Sequence, residues 1–372
     1  MIPRYLKNQI RKDDLEFKDK NMNFFLLPNF NPRTHYLDLT KGGYFQALIV
    51  LRHYIEIMSD YYFGTEIGAK KIDLFMFTTS VSSPMGPGSD SEALPFKFGK
   101  YNSNLVDSSQ FGFEPLLVNG IKKVYCYLPS MRGEKPDKRH LNQFFHCEAE
   151  IIGNLEQLMP IIEKYIKTLA ETLLLMTNIL NGLSVDCGVS VLTLNKVIKL
   201  KQFPRITFDE AVNALVDNGY KNLVNFTDFG QDILSEGELM LAKIFNFDCP
   251  FWITNYFRDR VPFYQKPDPK NPNKAINADL IFPALIPNSF GGEIVGCGQR
   301  QDSVEEIIDS LCRQGISSKP YEWYINLRSL SGYKTTSGFG LGIERFITWC
   351  LCRDDIKDSI LYPRLKDIES CP

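Results

Sequence analysis

Helix-period and strand-period segments follow one another in this 372-residue sequence without regular alternation, and that order most constrains its fold. A parallel sheet needs a crossover, usually a helix, between its strands. Here strand-like segments come in groups. Those at 72–77, 104–106, 122–128 and 140–152 precede the longest helical pattern, and those at 251–254, 279–282 and 323–327 come late in the chain. The pattern predicts a helix over 43–62, where Phe45, Leu48, Ile49, Leu51, Tyr54, Ile55 and Met58 recur at three- and four-residue spacing. A second runs over 155–180, with Leu158, Ile162, Ile166, Leu169 and Leu173 on one side. Further helices are expected at 208–217 after Thr207, at 236–245, at 303–313 after Asp302 or Ser303, and at 342–351. The stretches 80–91, 129–139 and 267–274 read as loops. The expected fold class is α+β, an antiparallel sheet flanked by helices.

Composition narrows the function classes. Lys and Arg total 42 against 44 Asp and Glu, a net charge of −2, so the chain as a whole carries no basic footprint for nucleic acid; any polyanion must be held by local clusters. The nine Cys form no CxxC and the four His no HxxxH or HExxH, which argues against a zinc site or a disulfide framework. Scattered Cys among apolar neighbours fit a reducing compartment. With no apolar run near membrane-spanning length and a charged stretch from Met1 to Lys20, the expected location is the cytoplasm.

Two segments concentrate the chemistry: MRGEKPDKRHLNQFFHCEAE at 131–150 and SGFGLGIERF at 337–346. GFGLG has neither the Walker lysine nor the dinucleotide spacing. Its glycines, Gly340 and Gly342 among them, let a flat base approach the backbone, and Arg345 on the following helix can reach over that base. Arg132 and Glu134 would share a face if they lay in a strand. Arg132 suits an α-phosphate, Glu134 an adenine amino group, and Phe144 the underside of the base. Lys135, Lys138 and Arg139 supply cations for a departing diphosphate. Alone, the first segment reads first as a solvated charged hairpin.

Together the two segments resemble motifs 2 and 3 of the class II aminoacyl-tRNA synthetases, and more narrowly the aspartyl/asparaginyl branch. Other stretches resemble that branch in the same order: SSQ at 108–110, FPRITFDEA at 203–211, GEIVGCGQR at 292–300, WYINLR at 323–328 and LYPR at 361–364. The resemblance runs from about Gly43 to Arg364 and points to asparaginyl-tRNA synthetase and the asparagine-synthetase relatives built on its core. It implies one catalytic domain, 43–372, after an N-terminal arm, 1–42, where length alone suggests roughly two domains. Carried over residue by residue, it implies that Arg132 contacts the α-phosphate and the substrate carboxylate, Glu134 reads adenine, Phe144 and Arg345 sandwich the base, and His140 lies near the phosphates. Glu293 and Asp279 would hold Mg²⁺, Gln110 would touch the substrate amino group, and Arg300 would lie in the substrate pocket.

The departures matter as much. Branch members carry an anticodon-binding β-barrel where this sequence has 42 residues, and the motif 1 proline is replaced near Thr79. A motif 2 Glu is Gln143, and the link within FPALIPNSFGG is longer than usual. After WYINLR, the Arg that grips the substrate side chain aligns with Leu330 and a His aligns with Thr336, leaving Lys334 or Arg328 to substitute. These features lead us to expect an ATP- and Mg²⁺-dependent ligase, cytoplasmic and homodimeric. It would activate a carboxylate as an acyl-adenylate and pass the acyl group to a small amine or ammonia. The alternative expectation is an asparaginyl- or aspartyl-type tRNA ligase.

Overall fold

The computed structural model describes residues 10–11, 25–82 and 91–371. Most of the expected N-terminal arm and the middle of the 80–91 loop lie outside the described residues.

The strands of the main sheet are, in chain order, β1 (Lys70–Lys71), β2 (Lys123–Met131), β3 (Gln143–Ile152), β4 (Arg205–Thr207), β5 (Phe251–Thr254), β6 (Asn277–Phe282), β7 (Gly292–Gln299) and β8 (Thr336–Gly342). They form one eight-stranded sheet in the order β1-β2-β3-β8-β7-β6-β5-β4. Only the outermost pairs, β1 with β2 and β4 with β5, are parallel; every inner pair is antiparallel, as the grouping of strands implies. The helices used below are α1 (Tyr44–Asp60), α2 (Gln110–Val118), α3 (Leu155–Leu174), α4 (Phe208–Asp217), α5 (Ser235–Ile244), α6 (Val304–Arg313) and α7 (Ile343–Cys350).

Strand alternation gives the sheet two unlike faces. On one face Tyr125, Cys147, Ala149, Ile151, Trp252, Leu280, Val295, Phe339 and Leu341 join the apolar sides of α1, α3 and α7 in the main core. Each fully buried Leu or Ile there contributes roughly 1.5–3 kcal/mol. The other face is apolar only towards its edges. Val124 and Cys126 meet Phe113 and Leu117 of α2 at one end. Phe251, Ile253 and Ile281 meet α4 and α5 at the other. Between them β3, β8, β7 and β6 present carboxylates and glycines, and the helices stand apart over that gap.

Local chemistry explains the helix starts. Asn154 and Gln157 form a reciprocal capping box at α3, and Thr207 and Glu210 form another at α4; each cap stabilises its helix by about 1 kcal/mol. Ser303 is the cap of α6.

Several expectations are corrected. The helix expected over 155–180 breaks after Leu174 and resumes at Thr177–Leu183. A strand expected at 72–77 reduces to Phe77–Thr78, which pairs in a small sheet with Tyr101–Leu105 and Pro95–Phe98. The loop expected at 267–274 is a hairpin, Pro267–Asp268 with Asn271–Ala275, because turn-rich composition also suits a tight two-strand ribbon. The strand expected at 323–327 is a short helix, Glu322–Asn326, which buries Tyr324 and Ile325. A segment of five residues is too short to separate the two states by periodicity. Helices α2 and Cys187–Lys199 were not expected.

Candidate active site

Two cross-strand rows make the floor of the site. Glu148 of β3, Gly340 of β8, Gly296 of β7 and Asp279 of β6 are successive partners, and Glu150, Gly338, Gly298 and Asn277 form the adjacent row. Four glycines thus lie in the middle, with acids or an amide at each end. Two of the glycines leave room for the side chains that rest on them. A Cβ at Gly338 would stand 2.4 Å from Arg300 Nη2, and one at Gly298 would stand 1.8 Å from Gln265 Oε1. Above this floor is a cavity of about 410 Å³, lined among others by Gln110, Arg132, His140, Asp279, Glu293, Arg300 and Arg345. A smaller one of about 100 Å³ adjoins it, lined by Arg132, Glu134, Phe144, Gly340, Gly342 and Arg345. Arg132, Arg139, His140, His146, Glu293, Gly340 and Arg345 border both.

The smaller cavity is walled in part by the Phe144 ring and the guanidinium groups of Arg132, Arg139 and Arg345. The Arg132 guanidinium lies 5.3 Å from the centre of the Phe144 ring. Arg132 and Glu134 are not on a strand face, since β2 ends at Met131; a loop carries both. Asn142 holds that loop, donating from Nδ2 to the carbonyls of Arg132 (2.8 Å) and Glu134 (2.7 Å). Asn142 was not singled out from the sequence, although it lies between two residues that were. Opposite, Arg345 Nη1 donates to the Glu293 carbonyl (3.0 Å) and carboxylate (3.3 Å). Its neighbour Glu344 is structural: it is buried, pairs with Arg52 at 2.7 Å and accepts from Phe145 N–H.

Of the three cations expected to face a diphosphate, only Arg139 lines the cavities. It donates to the Gly291 carbonyl and lies over Phe290, so the long link between β6 and β7 anchors it. Lys135 is exposed, and Lys138 pairs with Asp354. Leu330 and Lys334 line neither cavity: Leu330 is half-exposed and Lys334 exposed. The buried groups in that region are instead Thr336, which donates to Glu150 (2.7 Å), and Arg328, which pairs with Glu114.

Asp279 and Glu293 flank Gly296: a Cβ there would stand 3.2 Å from Glu293 Oε1 and 3.5 Å from Asp279 Oδ1. Glu238 of α5, a site residue the sequence did not disclose, lines the same cavity. Burial raises the Asp279 carboxyl well above its ordinary range, and Glu293 and Glu238 add to the rise. Burial also pushes Glu238 up to about 7, against the pull of Arg139. Such crowding of acids favours a cation among them. Among the described residues no three His, Cys, Asp or Glu side chains form a metal cage of their own. Asp279 and Glu293 supply carboxylate oxygens of the kind Mg²⁺ takes one or two of, the rest of its shell being water and substrate phosphate.

His146 is held neutral. Burial lowers its imidazole well below 6.5, and the cations Arg132 and Arg345 lower it further. Its 3.6 Å approach to Glu148 is therefore not an ion pair; Nδ1 instead meets Ser130 Oγ at 2.9 Å. A base whose folded pKa is depressed supports the fold above its unfolded pKa and opposes it below. Lowering the pH from 7 to 5 should therefore cost the fold stability through this group. His146→Gln should remove that share of the acid loss. Urea midpoints at pH 7 and pH 5 check this; an unchanged difference between the two midpoints would sink it.

Sheet order, the glycine floor and the paired cavities define the catalytic fold of the class II aminoacyl-tRNA synthetases. The chain matches the family described as tRNA synthetases class II (D, K and N) over residues 29–366, and it belongs to that family. It is 32% identical over 271 residues to the asparagine–tRNA ligase of Thermococcus gammatolerans, an alignment spanning 72% of this chain and 58% of that one. It is 30% identical over 322 residues to the probable cytoplasmic asparagine–tRNA ligase of Encephalitozoon cuniculi, spanning 84% of this chain and 65% of the relative. The chain thus spans less than two thirds of the length of these relatives. Among solved structures, the asparaginyl-tRNA synthetase of Pyrococcus horikoshii complexed with asparaginyl-adenylate superposes with a TM-score of 0.78 at 27% identity, over 90% of this chain and 71% of that one. Among the described residues no helix is long and apolar enough to cross a membrane.

Proposed function

We propose that this chain activates an amino acid of the asparagine type with ATP, forming an aminoacyl-adenylate, and transfers the acyl group to tRNA. The observation that carries the reading is the placement of Arg132, Glu134, Phe144 and Arg345 around one small cavity that opens onto the acid-flanked glycine floor. Adenine between Phe144 and Arg345 would bring the α-phosphate to Arg132. The amino acid, over the floor near Gln110 and Arg300, would then present its carboxylate in line. A carboxylate oxygen bonds to the α-phosphorus as the bond to the pyrophosphate oxygen breaks, and Arg132, Arg139 and Arg345 balance the charge that develops. Mg²⁺, held by Glu293 and Asp279, would offset phosphate charge when bound.

The small-amine acceptor expected from the sequence gains no support from the relatives, which are named as tRNA ligases. Pyrophosphate exchange across the amino acids, followed by charging of bulk tRNA against ammonia as acceptor, tests the proposal. We expect exchange with Asn and transfer to tRNA. No exchange with any amino acid would reject adenylate formation, and exchange with transfer to ammonia alone would restore the small-amine reading.

A further inference from the structure

The link between β6 and β7, residues 283–291, is longer than the branch pattern and touches none of the reacting groups proposed above. It is nevertheless a firmly folded segment. Trp349 Nε1 donates to the Pro283 carbonyl (2.8 Å), and Ser289 Oγ accepts from the N–H groups of Leu285 and Ile286 (3.1 Å each). Phe290 N–H donates to the Arg353 carbonyl (2.7 Å), and its side chain is buried in the main core. Three residues beyond Arg353, Ile356 N–H donates to the Lys138 carbonyl (3.1 Å). Residues 353–356 therefore support both the link and the loop that carries Arg139.

The link meets the Arg139 guanidinium from two sides. The guanidinium carbon lies 4.9 Å from the centre of the Phe290 ring, and Nη1 donates to the Gly291 carbonyl. Gly292 leaves the space: a Cβ there would stand 2.6 Å from Nη2 and 3.0 Å from Nη1. Nη2 makes no hydrogen bond among the described residues, and the Glu238 carboxylate is 3.9 Å from it. Burial lowers the Arg139 pKa from its ordinary value, and the nearby Arg345 cation adds to the lowering. A close ion pair would have neutralised Arg139. A ring face and a carbonyl instead fix its direction and leave most of its charge for an anion in the cavities it borders.

We propose that Phe290 is a positioning residue: its ring, with the Gly291 carbonyl, holds Arg139 ready for the β- and γ-phosphates of ATP. An arginine ordered beforehand does not have to be ordered on each binding event, so more of its interaction appears as affinity. The inference rests on the reading that the paired cavities take ATP.

The test is a double-mutant cycle on the full chain, read as the KM for ATP in pyrophosphate exchange with Asn. Phe290→Leu keeps most of the apolar volume but removes the ring face. It should raise the KM for ATP roughly tenfold and leave the KM for Asn within about twofold. Adding Phe290→Leu to Arg139→Ala should change the KM for ATP by less than about twofold, because the ring then has nothing to position. Ser289→Ala loosens the link without touching the Phe290 ring and should shift the KM for ATP the same way by a smaller factor. It takes the place of Phe290→Leu in the cycle if that variant does not fold. Equal effects in the wild-type and Arg139→Ala backgrounds would mark a merely structural role and overturn the proposal, as would an unchanged KM for ATP. Calorimetric binding of ATP and AMP separates the two readings. Phe290→Leu should weaken ATP roughly tenfold and AMP little, since AMP lacks the two outer phosphates. If the wild type exchanges with no amino acid but shows this difference, the adenylation reading fails and the positioning inference stands. Equal loss for ATP and AMP overturns the inference, and a wild type that binds neither nucleotide overturns both.

Discussion

Replacing Arg132 with Ala is expected to lower pyrophosphate exchange by about 10²–10³-fold while leaving the fold intact. Arg132 borders both cavities, so under the proposed function it stands between the nucleotide and the amino acid. Its Nε is buried and has no hydrogen-bond partner among the described residues, and its one ring contact is with Phe144, itself a wall of the smaller cavity. A cation held this way is available to an anion that develops charge in the transition state, and its removal strands no buried acid. The melting temperature should therefore move little, within what about 0.5 kcal/mol produces. Arg132→Lys should recover only part of the rate, because an ammonium keeps the charge but not the planar two-pronged donor pattern. Arg345→Ala should slow exchange too, but it also frees Glu293 from a 3.3 Å ion pair, so its effect mixes two causes. Exchange by Arg132→Ala at the wild-type rate would remove Arg132 from the chemistry.

How far the sequence reached can be seen in β3. Residues 140–152 read as a strand of mixed polarity, and the structure explains the mixture: His146 and Glu148 line the cavity and Glu150 lies buried on the same side against Arg300 and Thr336, while Cys147, Ala149 and Ile151 face the core. Residues that lie close together in sequence could be grouped before the structure: Arg132 and Glu134 share one loop with Phe144 on the strand that follows it, and Gly340, Gly342 and Arg345 share one strand-to-helix turn. What stayed hidden is non-local. Glu238 reaches the acids only because α5 packs beside β7; its amide contact is with Glu293, 55 residues away. Gln265 becomes a wall only through its bridge to Arg300. Leu330 failed for the same reason in reverse. Aligning letters after WYINLR assumed an extended chain, but the segment coils into a short helix, and the residue turned inward is Arg328.

That inward turn leads to the largest stability effect expected outside the main core. Arg328 and Glu114 both have fully buried side chains 2.7 Å apart. The guanidinium lies 3.9 Å over the Tyr324 ring, Nε donates to the Gln301 carbonyl (3.0 Å), and Nη1 donates to the Tyr324 carbonyl (2.9 Å). Glu114 accepts in turn from the hydroxyls of Tyr324 and Tyr333. Arg328→Met would leave an acid in an apolar pocket with only two neutral donors, which should cost about 3–5 kcal/mol. Glu114→Leu alone should cost a similar amount by stranding the cation. The double variant removes both charges and should be little worse than either single, because what loses a partner is neutral: the Tyr324 hydroxyl loses its acceptor, while Tyr333 still donates to the Gln301 carbonyl and the Tyr324 carbonyl still accepts a backbone N–H. The coupling between the sites is then at least about 2 kcal/mol. The effect should also reach the cavity. Arg328 and Tyr333 both donate to the Gln301 carbonyl, and Gln301 follows Arg300 directly, so loosening the first loosens the wall that carries the second. Urea unfolding of the four proteins gives the coupling, and exchange with Asn on the same set gives its consequence. Additive single effects, with a coupling below about 0.5 kcal/mol, would show that the buried charges do not depend on each other.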